Sequence, residues 1–268
     1  MITTDLLDIN GTRRVVNSAG AFSVVEYEKD ISVSSQNAEQ AYFESAMSYR
    51  KRQLVADICE EKGVIAQRGT LQMLLGRVEP KTGIENVGDL MKKYVGSKVT
   101  GESAIKPHYK GTGTLVLEPT YKYILLEDLD QWNNKIAVED GMFLACEDSI
   151  ELKVSSRTNL SSAALGGEGL FNLTFEGKGV IALESPAPRE ELVAINLVDD
   201  IVKIDGRMAI AWSKDLEFTV EKTTPTFVGS IAAGEGLVNV YRGTGKILMA
   251  PIRNNPGISR PDKNAKRG

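Results

Sequence analysis

Three glutamates are the residues of this chain best spaced for joint chemistry. Glu102, Glu168 and Glu235 each follow a glycine and recur at nearly equal intervals. Brought round a threefold axis, their carboxylates would form a ring of oxygen ligands suited to a hard cation. Each also suits a simpler role, as a solvated side chain on the turn that follows its glycine. The second candidate set is glycine itself. Gly111 and Gly113, Gly177 and Gly179, and Gly243 and Gly245 form G-x-G pairs 66 residues apart. A phosphate cradle needs such glycines between a strand and the start of a helix. Here each pair runs into an alternating apolar stretch that stops at Pro119, Pro186 or Pro251. The six glycines are therefore expected to be structural turns between strands, with φ > 0 where space is short.

Other chemistry is thin. His108 is the single histidine, which rules out clusters built from several imidazoles. No Ser-His-Asp order, H-E-x-x-H, C-x-x-C or Walker pattern occurs. Asp199-Asp200 and Glu60-Glu61 are sequence neighbours, and neighbouring side chains on a strand face opposite ways. Arg50-Lys51-Arg52, flanked by Tyr42 and Tyr49, could touch phosphate but is expected to be a solvated strand end. Neither enzymatic activity nor a cofactor is expected.

The elements that carry these residues repeat with them. Ile150-Glu151-Leu152-Lys153-Val154 matches Leu216-Glu217-Phe218-Thr219-Val220, and both alternate as half-buried strands do. Asp140-Gly141 and Asp205-Gly206 stand between apolar runs, where Asp-Gly favours a tight hairpin. Self-similarity at a fixed period sets the architecture. The expectation is an all-β protein of three β-sandwich-like units about a pseudo-threefold axis. Unit 1 spans 51–120, unit 2 spans 121–187 and unit 3 spans 188–252. Residues 1–50 form an N-terminal extension, partly β, and 253–268 a flexible basic tail. Thr82-Gly83-Ile84-Glu85 fits a capping box, and Ile84, Val87, Met91, Tyr94 and Val95 follow at helical spacing. One short inserted helix is thus expected near 84–95.

Composition bounds the setting. The 268 residues are 42% hydrophobic and 25% charged, as in an ordinary globular protein. A net charge of -4 argues against a nucleic-acid face. Two cysteines, Cys59 and Cys146, make no disulfide framework, which points to a reducing, cytoplasmic location.

The stretches GEGLFNLTFEGKGVIALESP and GEGLVNVYRGTGKILMAP, with their shared spacing, resemble the altered inheritance of mitochondria family. The resemblance covers residues 53–252. It implies a triplication of the fold of the tryptophan RNA-binding attenuation protein, with three units about a pseudo-threefold axis in one chain. It also implies kinship with mitochondrial members associated with inner-membrane organisation, and it brings no catalytic residue with it. Lys106 stands where the other units have Asn172 and Asn239, which breaks the equality of that position. The expected function is a non-enzymatic β-repeat scaffold or interaction protein, acting at a membrane surface or in a multi-protein assembly. Protein partners or self-association are expected, a membrane surface is allowed, and nucleic acid is disfavoured. The alternative is a binding module for a small ligand or nucleic acid at the junctions between repeats.

Overall fold

The computed structural model describes residues 2–81, 106–156, 171–205, 208–222 and 237–252. The expected helix at 84–95 and the tail at 253–268 lie outside the described residues. What is described is mostly strand, so the all-β expectation holds. The strands are β1 (Arg13–Ala19), β2 (Phe22–Tyr27), β3 (Arg52–Ile58), β4 (Val64–Ala66), β5 (Leu71–Lys81), β6 (His108–Leu117), β7 (Tyr123–Asp128) and β8 (Lys135–Val138). They continue as β9 (Phe143–Glu147), β10 (Ile150–Ser156), β11 (Phe171–Gly177), β12 (Val180–Ser185), β13 (Val193–Asp205), β14 (Ala209–Ser213), β15 (Glu217–Lys222) and β16 (Leu237–Met249). Helix α1 (Ala38–Ala46) connects β2 to β3.

Two antiparallel sheets result. The nine-stranded sheet runs β1-β2-β3-β6-β4-β9-β12-β7, with β5 also on β6. The seven-stranded sheet runs β10-β11-β8-β14-β16-β13, with β15 also on β16. The proline stops fall as expected, since β6, β12 and β16 end at Leu117, Ser185 and Met249. A proline nitrogen has no hydrogen to give the next rung of a ladder.

The glycine pairs depart from expectation. Only Gly177 and Gly179 stand at a break, between β11 and β12. Gly111 and Gly113 lie inside β6, and Gly243 and Gly245 inside β16, so these four are not turns. Each pair marks the place where a strand changes partners. Upstream of Gly111, β6 pairs with β4, and downstream with β3, while β5 follows it throughout. Upstream of Gly243, β16 pairs with β15, and downstream with β14, while β13 follows it throughout. Across Gly177–Gly179 the chain passes from β10 and β8 to β7 and β9, and from one sheet to the other. At Gly111 and Gly113 a Cβ would meet carbonyl oxygens of the paired strand β5, so the change of partners there needs residues without one. Asp140-Gly141 is a second departure. Gly141 has φ +79°, but β8 and β9 belong to different sheets, so the pair makes a corner rather than a hairpin.

The core follows from these changes of sheet. Phe143 on β9 and Phe175 on β11 come from different sheets and stack at 5.2 Å. Around them Ile136, Val138, Ile181 and Leu248 are fully buried. Trp212, Phe218 and Tyr241 form a second aromatic cluster within the seven-stranded sheet. Besides the ladder between β2 and β3, a carboxylate ties the N-terminal hairpin to this body. Glu147 accepts the Ala21 amide at 2.8 Å and the Val180 amide at 2.9 Å. A Cβ at Gly20 or Gly179 would press on those same oxygens, so glycine at both positions is a condition of the contact. Glu147→Ala leaves two amides without an acceptor, and a loss of about 2 kcal/mol is expected in urea unfolding.

Candidate functional site

Glu102, Glu168 and Glu235 lie outside the described residues, so the proposed ring belongs to chain not described. Among the described residues no three His, Cys, Asp or Glu side chains converge as metal ligands. His108 opens β6 at an exposed position, opposite Ile65 of β4 and Lys81 of β5. Lys106, Asn172 and Asn239 are all buried. Lys106 bonds the Gln67 side chain and sits 5.0 Å from the Phe143 ring centre.

The two thiols separate cleanly. Cys59 is exposed, whereas Cys146 is buried in the core and its burial pushes the thiol pKa up. An alkylating reagent at mildly alkaline pH is expected to label one thiol in the native chain and two after denaturation, read by intact mass.

A constellation of charge lies where the N-terminal hairpin meets β7. Arg14 of β1, Glu26 of β2 and Arg52 of β3 are direct cross-strand neighbours. Glu26 receives Arg52 at 2.8 Å, Arg50 at 3.0 Å and Arg14 at 3.6 Å. The Arg52 side chain is only 5% exposed, because Tyr123 lies over its guanidinium at 4.0 Å. Arg52 also donates to the Ser48 and Arg50 carbonyls. Lys51 pairs with Asp30 at 3.0 Å. The basic run is thus held by carboxylates, which corrects the expectation of a solvated strand end. The carboxylates come from β2 and the residues just after it, and only strand register brings them there.

Arg14, Glu26, Arg50, Arg52 and Tyr123 line a cleft of about 650 Å³ that also reaches Glu127 and Arg189. Glu127 is buried, accepting the Trp132 indole N–H at 3.0 Å and pairing with Arg189 at 2.7 Å. Behind it, Lys246 lies 3.8 Å from the Trp132 ring centre, and burial lowers its pKa. The cleft is polar and internally neutralised. The side chains of Arg14 and Arg189 remain about half exposed at its mouth.

A different kind of surface lies along two strand edges. β5 gives one edge to β6, and β13 gives one edge to β16. Among the described residues, no ladder occupies the other edge of either strand. Leu71 and Met73 on β5, and Val198 and Ile201 on β13, are exposed there. Helix α1 buries none of its residues, and Tyr42 and Phe43 are also exposed.

The family model described as Mitochondrial biogenesis AIM24 matches residues 43–252. The chain belongs to the AIM24 family. A relative, an uncharacterized protein of Streptococcus pyogenes serotype M6, is 31% identical over 196 residues. That match spans 70% of this chain and 77% of the relative. A crystal structure of a Streptococcus pyogenes protein superposes with a TM-score of 0.58 at 27% identity, covering 76% of this chain and 89% of that one. The AIM24 match takes in the Arg50–Arg52 run, all three glycine pairs and both open edges. It omits β1 and β2, which supply Arg14 and Glu26 to the cleft.

Proposed function

We propose that the chain is a non-enzymatic scaffold that works by holding partner proteins along its open strand edges. The observation that carries this reading is that no ladder among the described residues occupies the second edge of β5 or of β13, each of which bears exposed apolar side chains. An unpaired edge displays a row of amides and carbonyls ready to receive another strand. No helix of the described residues is long and apolar enough to cross a membrane. A membrane surface is a further docking partner in this reading.

The scaffold is read as three copies of one unit, over 51–120, 121–187 and 188–252, about a pseudo-threefold axis. The fold of the tryptophan RNA-binding attenuation protein is the corresponding single unit. The ladders support this. In each copy a central strand, β6, β11 with β12, or β16, changes partners at its glycine pair. One bulge supports it as well. Gln72, Leu144 and Ile210 are each the residue skipped when β5, β9 and β14 pair with their central strand.

Affinity capture with the full chain from its own cells, followed by mass spectrometry of proteins and lipids, tests the reading. Protein partners or further copies of the chain are expected, and the Val198→Lys/Ile201→Lys variant is expected to release them. A clean monomer carrying neither protein nor lipid would overturn it. The half-exposed Arg14 and Arg189 favour a second reading, a small anionic ligand in the cleft. Thermal denaturation with and without inorganic phosphate checks this. The scaffold reading expects no phosphate-dependent shift beyond that of a chloride control.

A further inference from the structure

We propose that the partner of these edges is a second copy of this chain, with β13 of one copy adding to β5 of the next. The proposal rests on the three repeated units read above, with the junction between unit 3 and unit 1 made between chains rather than round an axis within one chain. Two junctions of the same kind already exist within the chain. β4 pairs with β9 through Val64↔Glu147, Ile65↔Cys146 and Ala66↔Ala145. β8 pairs with β14 through Ile136↔Ser213, Ala137↔Trp212 and Val138↔Ala211. Both are antiparallel ladders of three rungs, and in both an earlier strand of one unit (β4, β8) meets a later strand of the next unit (β9, β14).

The pairing tables identify the strands that a third junction would use. β8 crosses β11 with Ile136 opposite Phe175, two residues before Gly177, and β13 crosses β16 with Val202 opposite Tyr241, two residues before Gly243. Val202, Lys203 and Ile204 therefore stand where Ile136, Ala137 and Val138 stand. On the other side, Cys146 pairs with Ile181, Trp212 with Ile247, and Leu74 with Leu115, each two residues beyond the last glycine of its pair. Met73, Leu74 and Leu75 therefore stand where Ala145, Cys146 and Glu147 stand. Within the chain, β5 and β13 are not joined by any ladder among the described residues.

Burial agrees with a missing neighbour. Ala137 and Cys146, which sit inside formed junctions, are buried. Their counterparts Lys203 and Leu74 are exposed and half-buried. Copying the two existing registers onto the open edges sets Ile204 opposite Met73, Lys203 opposite Leu74 and Val202 opposite Leu75. Two rungs further on, the same register places Asp200 opposite Arg77. Both of these side chains are exposed, and their charges are opposite. Directly opposed unlike charges favour one strand register over its neighbours. An ion pair also flanks the β8–β14 ladder, where Lys135 meets Asp215 at 3.6 Å. β5 and β13 are different surfaces, so the contact is head-to-tail and closes into a ring of chains if the rotation permits.

Cysteine cross-linking of the full chain tests both the partner and the register. In a Cys59→Ser background, Leu74→Cys in one preparation is mixed with Lys203→Cys in another under mild oxidation. A disulfide-linked dimer is expected, because opposed residues on antiparallel strands lie within bridging distance. The off-register mixture of Leu74→Cys with Asp205→Cys is expected to link at least tenfold more slowly, the diagonal separation being too large. Arg77→Asp is expected to weaken self-association about tenfold, and adding Asp200→Arg to restore it. A chain that stays monomeric at high concentration and gives no linkage overturns the proposal. Linkage of Leu74→Cys to Lys203→Cys inside a single doubly substituted chain, with none between chains, also overturns it while preserving the three-unit reading.

Discussion

Replacing Glu26 with alanine is expected to destabilise the chain by about 3–5 kcal/mol, the range for breaking a buried ion pair from one side. The size follows from what remains. The Arg52 guanidinium is held beneath Tyr123, and without Glu26 it keeps its charge with only two backbone carbonyls as acceptors. Arg50 loses its 3.0 Å carboxylate contact at the same time. Arg14 loses less, since Glu28 also pairs with it at 3.0 Å and its side chain is half exposed. The loss is therefore concentrated at Arg52. Adding Arg52→Met to Glu26→Ala is expected to recover a large part of the stability, because an apolar side chain removes the stranded charge. Urea unfolding of the two variants beside the wild type checks this. A loss below 1 kcal/mol for Glu26→Ala would mean that water reaches Arg52.

Alanine at Gly111 and alanine at Gly243 are expected to differ sharply, although the sequence places both at the start of the same motif. Both glycines hold a positive φ, +123° and +112°, so both substitutions meet backbone strain. At Gly111 the new Cβ would also collide with the Arg77 carbonyl oxygen on the paired strand β5. At Gly243 the nearest atom is a Leu216 methyl at 3.9 Å. There, Val198 and Asp199 together oppose Thr244, a bulge in β13 between its pairings with Gly245 and Gly243. Asp199 takes φ +49°, and its amide donates to the Thr244 hydroxyl at 3.0 Å. The expected losses are about 3 kcal/mol or more at Gly111 and about 1–2 kcal/mol at Gly243. Equal losses, measured by thermal or urea unfolding, would show that strain alone sets the cost.

The sequence was a good guide to where strands run and stop, because alternation and proline act locally. Ile150–Val154 lies within β10, and Pro119, Pro186 and Pro251 each follow the end of a strand. It was a poorer guide to what the glycines do. A glycine in sequence reveals that the backbone needs freedom, whether for a turn, a bend inside a strand or a close carbonyl. Which of these applies depends on partners far away in the chain, such as Arg77 beside Gly111. Asp140-Gly141 reads as a hairpin for the same reason, since nothing local says that β8 and β9 enter different sheets. The cleft was half visible. Arg50-Lys51-Arg52 stands out as a run of cations, but a run of cations reads as solvated until strand register supplies Glu26. The open edges of β5 and β13 were legible only once the pairing of every other strand was known.

Hydrogen exchange on the chain as isolated with its native partners, compared with the purified monomer, tests the scaffold account most directly. The account predicts that the outward amides of residues 71–77 and 198–204 exchange freely in the monomer and become protected in the assembly. Protection confined to the cleft around Arg14, Arg52 and Arg189, with both strand edges still exchanging freely, would contradict it.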